Sequence, residues 1–209
     1  PSPTTMFQSA SDPKSTPRAP ATRRLTDEVY QHHRTLLRRL GWPEQRPGGR
    51  KLHTIGVTSC YQGEGVSTVA MQLGATAARQ GDRRVLLVEA DVARPALSSI
   101  LELPSGPGLV DAVLNGKPAE ETIVPSGLAG LSVIPAGIPA DDHGRIYDSP
   151  GLPELIDQMT SRFELVVFDM PPAADAGSVI PLAGLLDGII LVVEAERVRR
   201  EVVRRAKEL

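Results

Sequence analysis

Cysteine, aromatic residues and long hydrophobic runs are all scarce in this sequence of 209 residues. Its one cysteine, Cys60, cannot form an internal disulfide, so a disulfide-bonded scaffold is excluded and a reducing compartment fits. No run approaches the roughly 18 apolar residues that a membrane span needs, and no signal peptide is recognisable. The formal net charge of −2 argues against attraction of the whole surface to nucleic acid or membranes. We therefore expect a cytoplasmic location and no nucleic-acid partner.

Hydrophobic residues make up 41% of the chain but aromatic residues only 3%, so the core should consist of Val, Ile, Leu and Ala. Such a core is typical of a parallel sheet covered by helices. Residues 1–24 are rich in Pro, Ser, Thr and Ala and are predicted to be a disordered tail. Residues 25–49 are predicted to form a helix, capped by Thr26 and ended at Gly41, and a linker. Residues 50–209 are predicted to form the main domain.

The segment LHTIGVTSCYQGEGVSTVAMQLGA, residues 52–75, has the layout of a phosphate-binding loop between a strand and a helix. Gly63 and Gly65 allow backbone N–H groups to converge on one point, where the helix N-terminus adds partial positive charge. Against the usual pattern G-x-x-x-x-G-K-[ST], Gly65 and Ser67 match, whereas the first glycine is missing and Val66 replaces the lysine. The loop therefore predicts an anion site that lacks the residue which usually reaches the β- and γ-phosphates.

Acidic residues end two further apolar runs of strand length, RRVLLVEAD and ELVVFDMPP. Alternation of such strands with helical segments predicts an α/β fold with a doubly wound, mainly parallel sheet flanked by helices. In such a sheet, ligands bind at the carboxyl ends of the strands, where Glu89, Asp91 and Asp169 would lie. Ser67 with Asp91 or Asp169 would hold Mg²⁺, and a remaining carboxylate would orient or deprotonate an attacking hydroxyl or water.

From about Thr26 to Leu209 the chain resembles the cytoplasmic P-loop domain of the bacterial tyrosine kinases, or BY-kinases, of exopolysaccharide and capsule systems. The motifs that carry the resemblance occur in the family's order: GEGVST, VLLVEADVARP, GLVDAVLNG, IPAG, DSPGLPELI and VVFDMPP. The resemblance implies a P-loop NTPase-like fold and binding of ATP or ADP with Mg²⁺.

The resemblance also implies roles for the residues that match these motifs. The implied nucleotide-binding residues are Gly63, Glu64, Gly65, Val66, Ser67 and Thr68. The implied metal ligands are Ser67, Asp91 and Asp169, and the two aspartates also belong to the predicted catalytic set. Glu89 stands where the family has an aspartate thought of as the base toward tyrosine, with a longer arm and the same charge.

An oligomer contact is implied in the predicted N-terminal helix. The family carries an E-x-x-R-x-x-R pattern there that holds subunits in a ring, and this chain has Glu28, Gln31 and Arg34 at those positions. One arginine is therefore missing. A homo-oligomer is therefore expected only if this partial pattern is enough to hold two subunits together.

Replacement of the loop lysine by Val66 is the departure that decides the function. A hydrogen bond to a charged group contributes roughly 1.5–3 kcal/mol, so its loss should weaken ATP binding by about ten- to a hundredfold. An arginine such as Arg94, or one supplied by a partner, would have to compensate. The chain also lacks the family's terminal tyrosine cluster, because its tyrosines are Tyr30, Tyr61 and Tyr147.

Our favoured hypothesis is therefore a kinase-like, pseudokinase-type regulator that binds nucleotide and Mg²⁺ weakly. Its expected partner is a membrane-embedded polysaccharide co-polymerase or the cytoplasmic tail of one, and that partner or a segment outside this chain would tether it to the inner membrane. Two alternatives stay open. One is an active ATP-dependent protein-tyrosine autokinase, and the other is a ParA/MinD-type ATPase, whose loops begin with a signature lysine where this chain has Tyr61.

Overall fold

The computed structural model describes residues 26–44, 51–138, 143–195, 198 and 200–208. The predicted tail, residues 1–24, lies outside the described residues. Among the described residues, no helix is both long and apolar enough to cross a membrane.

Strands and helices alternate along the described chain, as the hydrophobic pattern predicts. The helices are α1 (Asp27–Leu40), α2 (Val66–Ala78), α3 (Leu97–Ile100), α4 (Leu109–Leu114), α5 (Gly151–Arg162), α6 (Ala176–Ala183) and α7 (Arg200–Glu208). The strands are β1 (Thr54–Ser59), β2 (Val85–Glu89), β3 (Val124–Pro125), β4 (Leu131–Ile134), β5 (Leu165–Asp169) and β6 (Gly188–Val192). Two 3₁₀ turns, Ala119–Glu121 and His143–Ile146, complete the list.

The six strands form one sheet in the order β3-β4-β2-β5-β1-β6, in which only the β3–β4 pair is antiparallel. This arrangement confirms the predicted doubly wound, mainly parallel α/β fold. Strand order differs from chain order, so the chain crosses over between β1 and β2 and again between β4 and β5. The register places Glu89 of β2 directly opposite Asp169 of β5. The acidic ends of these two strands are therefore neighbours at the carboxyl edge of the sheet.

Helices cover both faces of the sheet and form two hydrophobic cores. Successive residues of a strand point to opposite faces, and β2 follows this rule. Val85 and Leu87 pack into the core beneath α2, whereas Leu86 and Val88 pack into the core beneath α4 and α5. The fully buried strands β1, β2 and β5 hold their carboxyl ends in fixed positions, which is what a ligand site at that edge requires.

The N-terminal helix α1 packs against α2 rather than standing apart from the domain. Thr26 caps it by accepting a hydrogen bond from the N–H of Val29 (3.3 Å), and Gly41 ends it in the left-handed conformation. Leu37 and Trp42 are buried in the same core as α2. The sequence-based division places α1 in residues 25–49, outside the main domain of residues 50–209. In the structure, α1 shares a hydrophobic core with that domain.

Three elements lie outside the sequence-based prediction: α3, α6 and the two-residue β3. Helix α3 has one turn, and α6 contains Pro181, which breaks the helical pattern in the sequence. Such short or proline-containing elements are stabilised by their tertiary packing, which local propensity does not report.

Candidate phosphate-binding site

The loop between β1 and α2 adopts the open, glycine-dependent turn that its sequence predicts. Gly63 and Gly65 both have φ of 87°, a left-handed conformation that other residues rarely adopt. A Cβ added at either position would meet nothing within 4 Å, so the concave side of the loop is open. Gly65 also precedes the first residue of α2, Val66, so the helix N-terminus adjoins this open side. Such a place, beside a helix N-terminus, is typical of phosphate-binding loops.

Glu64, predicted to bind nucleotide, instead holds the loop together. Its side chain is 8% exposed and does not line the cavity described below. One carboxylate oxygen accepts a hydrogen bond from the N–H of Tyr61 (2.7 Å), and the other accepts one from the N–H of Glu194 (3.1 Å). The carboxylate therefore fixes the loop internally and ties it to the chain just after β6. Contact between Glu64 and nucleotide stays a prediction that these bonds do not favour.

A cavity of about 320 Å³ lies at the carboxyl edge of the sheet, between the loop and the ends of β2 and β5. It brings together five of the six predicted nucleotide-binding residues and all three predicted metal ligands. Its lining includes Gly63, Gly65, Val66, Ser67, Thr68, Asp91, Arg94, Ala96, Asp169 and Pro172. The convergence of these residues, predicted from three separate stretches of sequence, makes this cavity the candidate site.

Asp169 lies at the end of β5 beside the start of α2 and is 2% exposed. Burial raises the pKa of its carboxyl group to about 7, and a hydrogen bond with the Ser67 side chain opposes that shift. Burial therefore disfavours the charged form of this carboxylate, and a nearby cation would favour it. The pair of Ser67 hydroxyl and Asp169 carboxylate is the donor set that Mg²⁺ prefers, because both groups offer oxygen ligands. The residues present thus fit a magnesium ion.

Asp91 and Arg94 form the opposite wall of the cavity, in the turn that follows β2. The N–H of Arg94 donates to the backbone and side-chain oxygens of Asp91, both at 3.2 Å. Burial raises the pKa of Asp91, while the nearby Arg94 guanidinium lowers it. The guanidinium also pairs with the carboxylate of Asp175 at the start of α6. No sequence motif predicts this partner of Arg94, although Asp175 follows closely on the Pro-Pro pair after β5.

Glu89, predicted as the catalytic base, is fully buried and does not line the cavity. One carboxylate oxygen accepts the N–H of Leu97 (2.5 Å) and that of Ser98 (3.4 Å). The other accepts the Ser98 hydroxyl (2.8 Å) and the N–H of Ala136 (3.0 Å). All four hydrogen bonds come from residues that surround the site. Each carboxylate oxygen therefore already accepts two hydrogen bonds and is not available to a substrate hydroxyl in this conformation. A catalytic role for Glu89 stays a prediction.

Val66 occupies the position of the usual lysine, at the first residue of α2 and in the cavity wall. Its side chain is half-buried and packs against the core beneath α2. An apolar side chain therefore stands where the usual pattern has a cation.

Each of the three tyrosines in this sequence is in a different environment. The Tyr147 hydroxyl donates to the carbonyl of Ala90 (2.6 Å), and burial raises the pKa of this phenol. Tyr30 of α1 lies under the guanidinium of Arg79, 5.4 Å from its ring centre. Tyr61, next to the loop, is 47% exposed.

The predicted oligomer-contact residues lie on α1. Glu28 and Gln31 are exposed and Arg34 is half-buried, so the first two are accessible to a second subunit. Their role in assembly stays a prediction.

Comparison with known proteins gives one family and several relatives. The family model described as ParA, NUBPL iron-transfer P-loop NTPase, matches residues 51–209. The tyrosine-protein kinase YwqD of Bacillus subtilis is 28% identical over 159 residues, which cover 76% of this chain and 67% of the relative. The succinoglycan biosynthesis transport protein ExoP of Rhizobium meliloti is 30% identical over 174 residues. That alignment covers 77% of this chain but only 21% of ExoP.

Among solved structures, the crystal structure of the VpsO kinase domain superimposes with a TM-score of 0.70. The two chains are 28% identical, and the match covers 74% of this chain and 76% of that one. The family match over residues 51–209 includes the loop, the strand ends and the residues that line the cavity.

Proposed function

Because the chain belongs to the ParA (NUBPL iron-transfer) family of P-loop NTPases and is a P-loop domain of the bacterial tyrosine-kinase type, we propose that it is a kinase-like regulator. It would act in exopolysaccharide or capsule biosynthesis and export, with impaired use of ATP. The observation that supports the impairment is Val66 at the first residue of α2, in the wall of the cavity, where the usual pattern has a lysine.

Each part of the cavity has a defined task in this proposal. The N–H groups of the loop around Gly63 and Gly65 hold phosphate oxygens. Ser67 and Asp169 would hold Mg²⁺, which would neutralise phosphate charge. Asp91, on the facing wall, orients a hydroxyl or a water and accepts its proton.

The missing lysine affects binding and turnover to different extents. Loss of one hydrogen bond to a charged group weakens binding by about ten- to a hundredfold, from roughly 1.5–3 kcal/mol. Turnover suffers more, because the lysine acts on charge that develops in the transition state. The result is a domain that holds nucleotide weakly and transfers phosphate slowly, as suits a regulator that responds to nucleotide without consuming much of it.

The proposed partner follows from the length of ExoP. This chain corresponds to 21% of a protein named for succinoglycan biosynthesis transport, so a domain of this type occurs within a longer transport protein. We propose that the chain binds a membrane-embedded polysaccharide co-polymerase or its cytoplasmic tail. A cytoplasmic position at the inner membrane would follow from that contact.

Titration of ATP·Mg²⁺ and ADP·Mg²⁺ into the wild-type protein and Val66→Lys tests the impairment. We expect weak binding and little autophosphorylation in the wild type, and about ten- to a hundredfold tighter ATP binding in Val66→Lys. Val69→Lys is the matched control, because Val69 is also half-buried on α2 but does not line the cavity.

Two results would contradict the proposal. Micromolar ATP affinity with phosphotyrosine on the wild-type protein would favour the active autokinase. Steady ATP hydrolysis without phosphotyrosine would favour a ParA/MinD-type ATPase, although Tyr61 replaces the signature lysine of those loops.

A further inference from the structure

Arg94 is the only basic residue among the described residues that line the cavity. The acidic residues of the same lining are Asp91 and Asp169. Two carboxylates in a site weaken its attraction for the phosphates of a nucleotide. Among the described lining residues, Arg94 is therefore the one side chain whose positive charge can offset theirs.

The guanidinium of Arg94 is held between two carboxylates. Its Nε lies 3.5 Å from Oδ2 of Asp91, but this buried nitrogen has no hydrogen-bond partner among the described residues. A terminal guanidinium nitrogen, Nη2, pairs with Asp175. The hydrogen bond with Asp175 raises the pKa of Arg94, so the group stays charged. At 35% exposure, the side chain is also accessible from the cavity.

We propose that Arg94 supplies to the nucleotide phosphates the positive charge that the missing loop lysine would supply, and that Asp175 holds Arg94 when no nucleotide is bound. This inference rests on the proposed function, because it needs a nucleotide in the cavity. A guanidinium binds phosphate through two parallel N–H···O bonds, and a phosphate carries more charge than one carboxylate. Phosphate binding therefore draws Arg94 away from Asp175, while Asp91 keeps hold of its backbone.

A purely structural role is the competing explanation. Arg94 would then only connect the turn after β2 to the start of α6, and its ion pair with Asp175 would stabilise that connection. The two explanations predict opposite effects for Asp175→Asn. Removal of the competing carboxylate tightens nucleotide binding if Arg94 binds phosphate, but leaves it unchanged or weaker if Arg94 is a structural joint.

The experiment measures ATP·Mg²⁺ and ADP·Mg²⁺ affinity by titration calorimetry, with thermal unfolding of each variant alongside. We expect Arg94→Ala to weaken binding by about tenfold or more, Arg94→Lys to recover part of the loss, and Asp175→Asn to bind a few-fold tighter than the wild type. Val66→Lys combined with Arg94→Ala should bind better than Arg94→Ala alone, since a cation returns from the other wall.

Arg83→Ala is the matched control. Arg83 pairs with Glu164 at 2.7 Å and has a similar exposure of 34%, but it precedes β2 and so lies at the opposite edge of the sheet. We expect its loss to leave nucleotide affinity unchanged, even if the unfolding temperature falls.

Three outcomes would overturn the proposal. If Arg94→Ala binds as tightly as the wild type, or if only its unfolding temperature changes, Arg94 is a structural joint. If the wild type does not bind but Val66→Lys does, Arg94 supplies no useful charge, and the proposed function still stands. If neither protein binds nucleotide, the site itself is refuted and the proposed function fails with it.

Discussion

The buried carboxylate of Glu89 should contribute more to stability than to catalysis, and Glu89→Ala tests this directly. The change removes the acceptor for the N–H groups of Leu97 and Ala136, which lie 2.5 and 3.0 Å from it. Each buried donor without a partner costs about 1–3 kcal/mol, so the two together cost about 2–6 kcal/mol. Loss of the repulsion between Glu89 and Asp169, which face each other in the sheet, offsets part of this cost. We therefore expect a loss of about 2–4 kcal/mol in the free energy of unfolding.

Urea denaturation of the wild type, Glu89→Ala and Glu89→Asp gives the required comparison. Aspartate keeps the charge, but its arm is one methylene shorter, so it should lose part of the bond network and fall between the other two. Glu154→Ala, which removes an exposed carboxylate from α5, is the control and should change stability little. The reasoning fails if Glu89→Ala is as stable as the wild type. Loss of phosphate transfer at unchanged stability would instead restore the predicted role of Glu89 as a base.

Two further predictions concern charge and assembly. Because the pKa of Asp169 rises from 3.8 to about 7 on folding, the folded state binds the extra proton in that window, and stability should fall as pH rises from about 4 to 7. Asp169→Asn should remove this decline, and parallel stability curves for the two proteins between pH 5 and 8 would contradict it. If Glu28, Gln31 and Arg34 retain only part of the ring contact, light scattering should show a monomer or small oligomer, and a stable octamer would contradict that.

The fold and the location of the site could be predicted because both depend on local pattern. Apolar runs of strand length fixed β1, β2 and β5, and the glycines at 63 and 65 marked the turn into α2. Parallel strands bring their carboxyl ends to one edge, so the sequence predicts that Asp91 and Asp169 lie near Ser67. The cavity at that edge contains all three.

The tasks of individual carboxylates could not be predicted in the same way, because their partners are remote in sequence. Glu89 bonds to Ala136, which is 47 residues away, and Glu64 bonds to Glu194, which is 130 residues away. No local sequence pattern predicts that a carboxylate will accept a hydrogen bond from a backbone N–H so far away along the chain. The motif predicts nucleotide binding for Glu64 and catalysis for Glu89, but it does not show which way their carboxylate oxygens point.

The acidic residues near the cavity have two different roles, and this difference explains how the loop can have its shape without the usual lysine. Backbone N–H groups from the loop, from the chain just after β6, from α3 and from the chain after β4 donate to Glu64 and Glu89. These hydrogen bonds involve neither Val66 nor a bound phosphate. The electrostatic balance inside the cavity, by contrast, depends on Asp91, Asp169 and Arg94 alone among its described lining residues. The residues that hold the loop conformation are thus different from those that set the charge of the cavity. A substitution at position 66 can therefore change nucleotide affinity while the loop conformation persists. A regulator that needs the shape of the kinase domain but little of its turnover can arise from such a fold by loss of one cation.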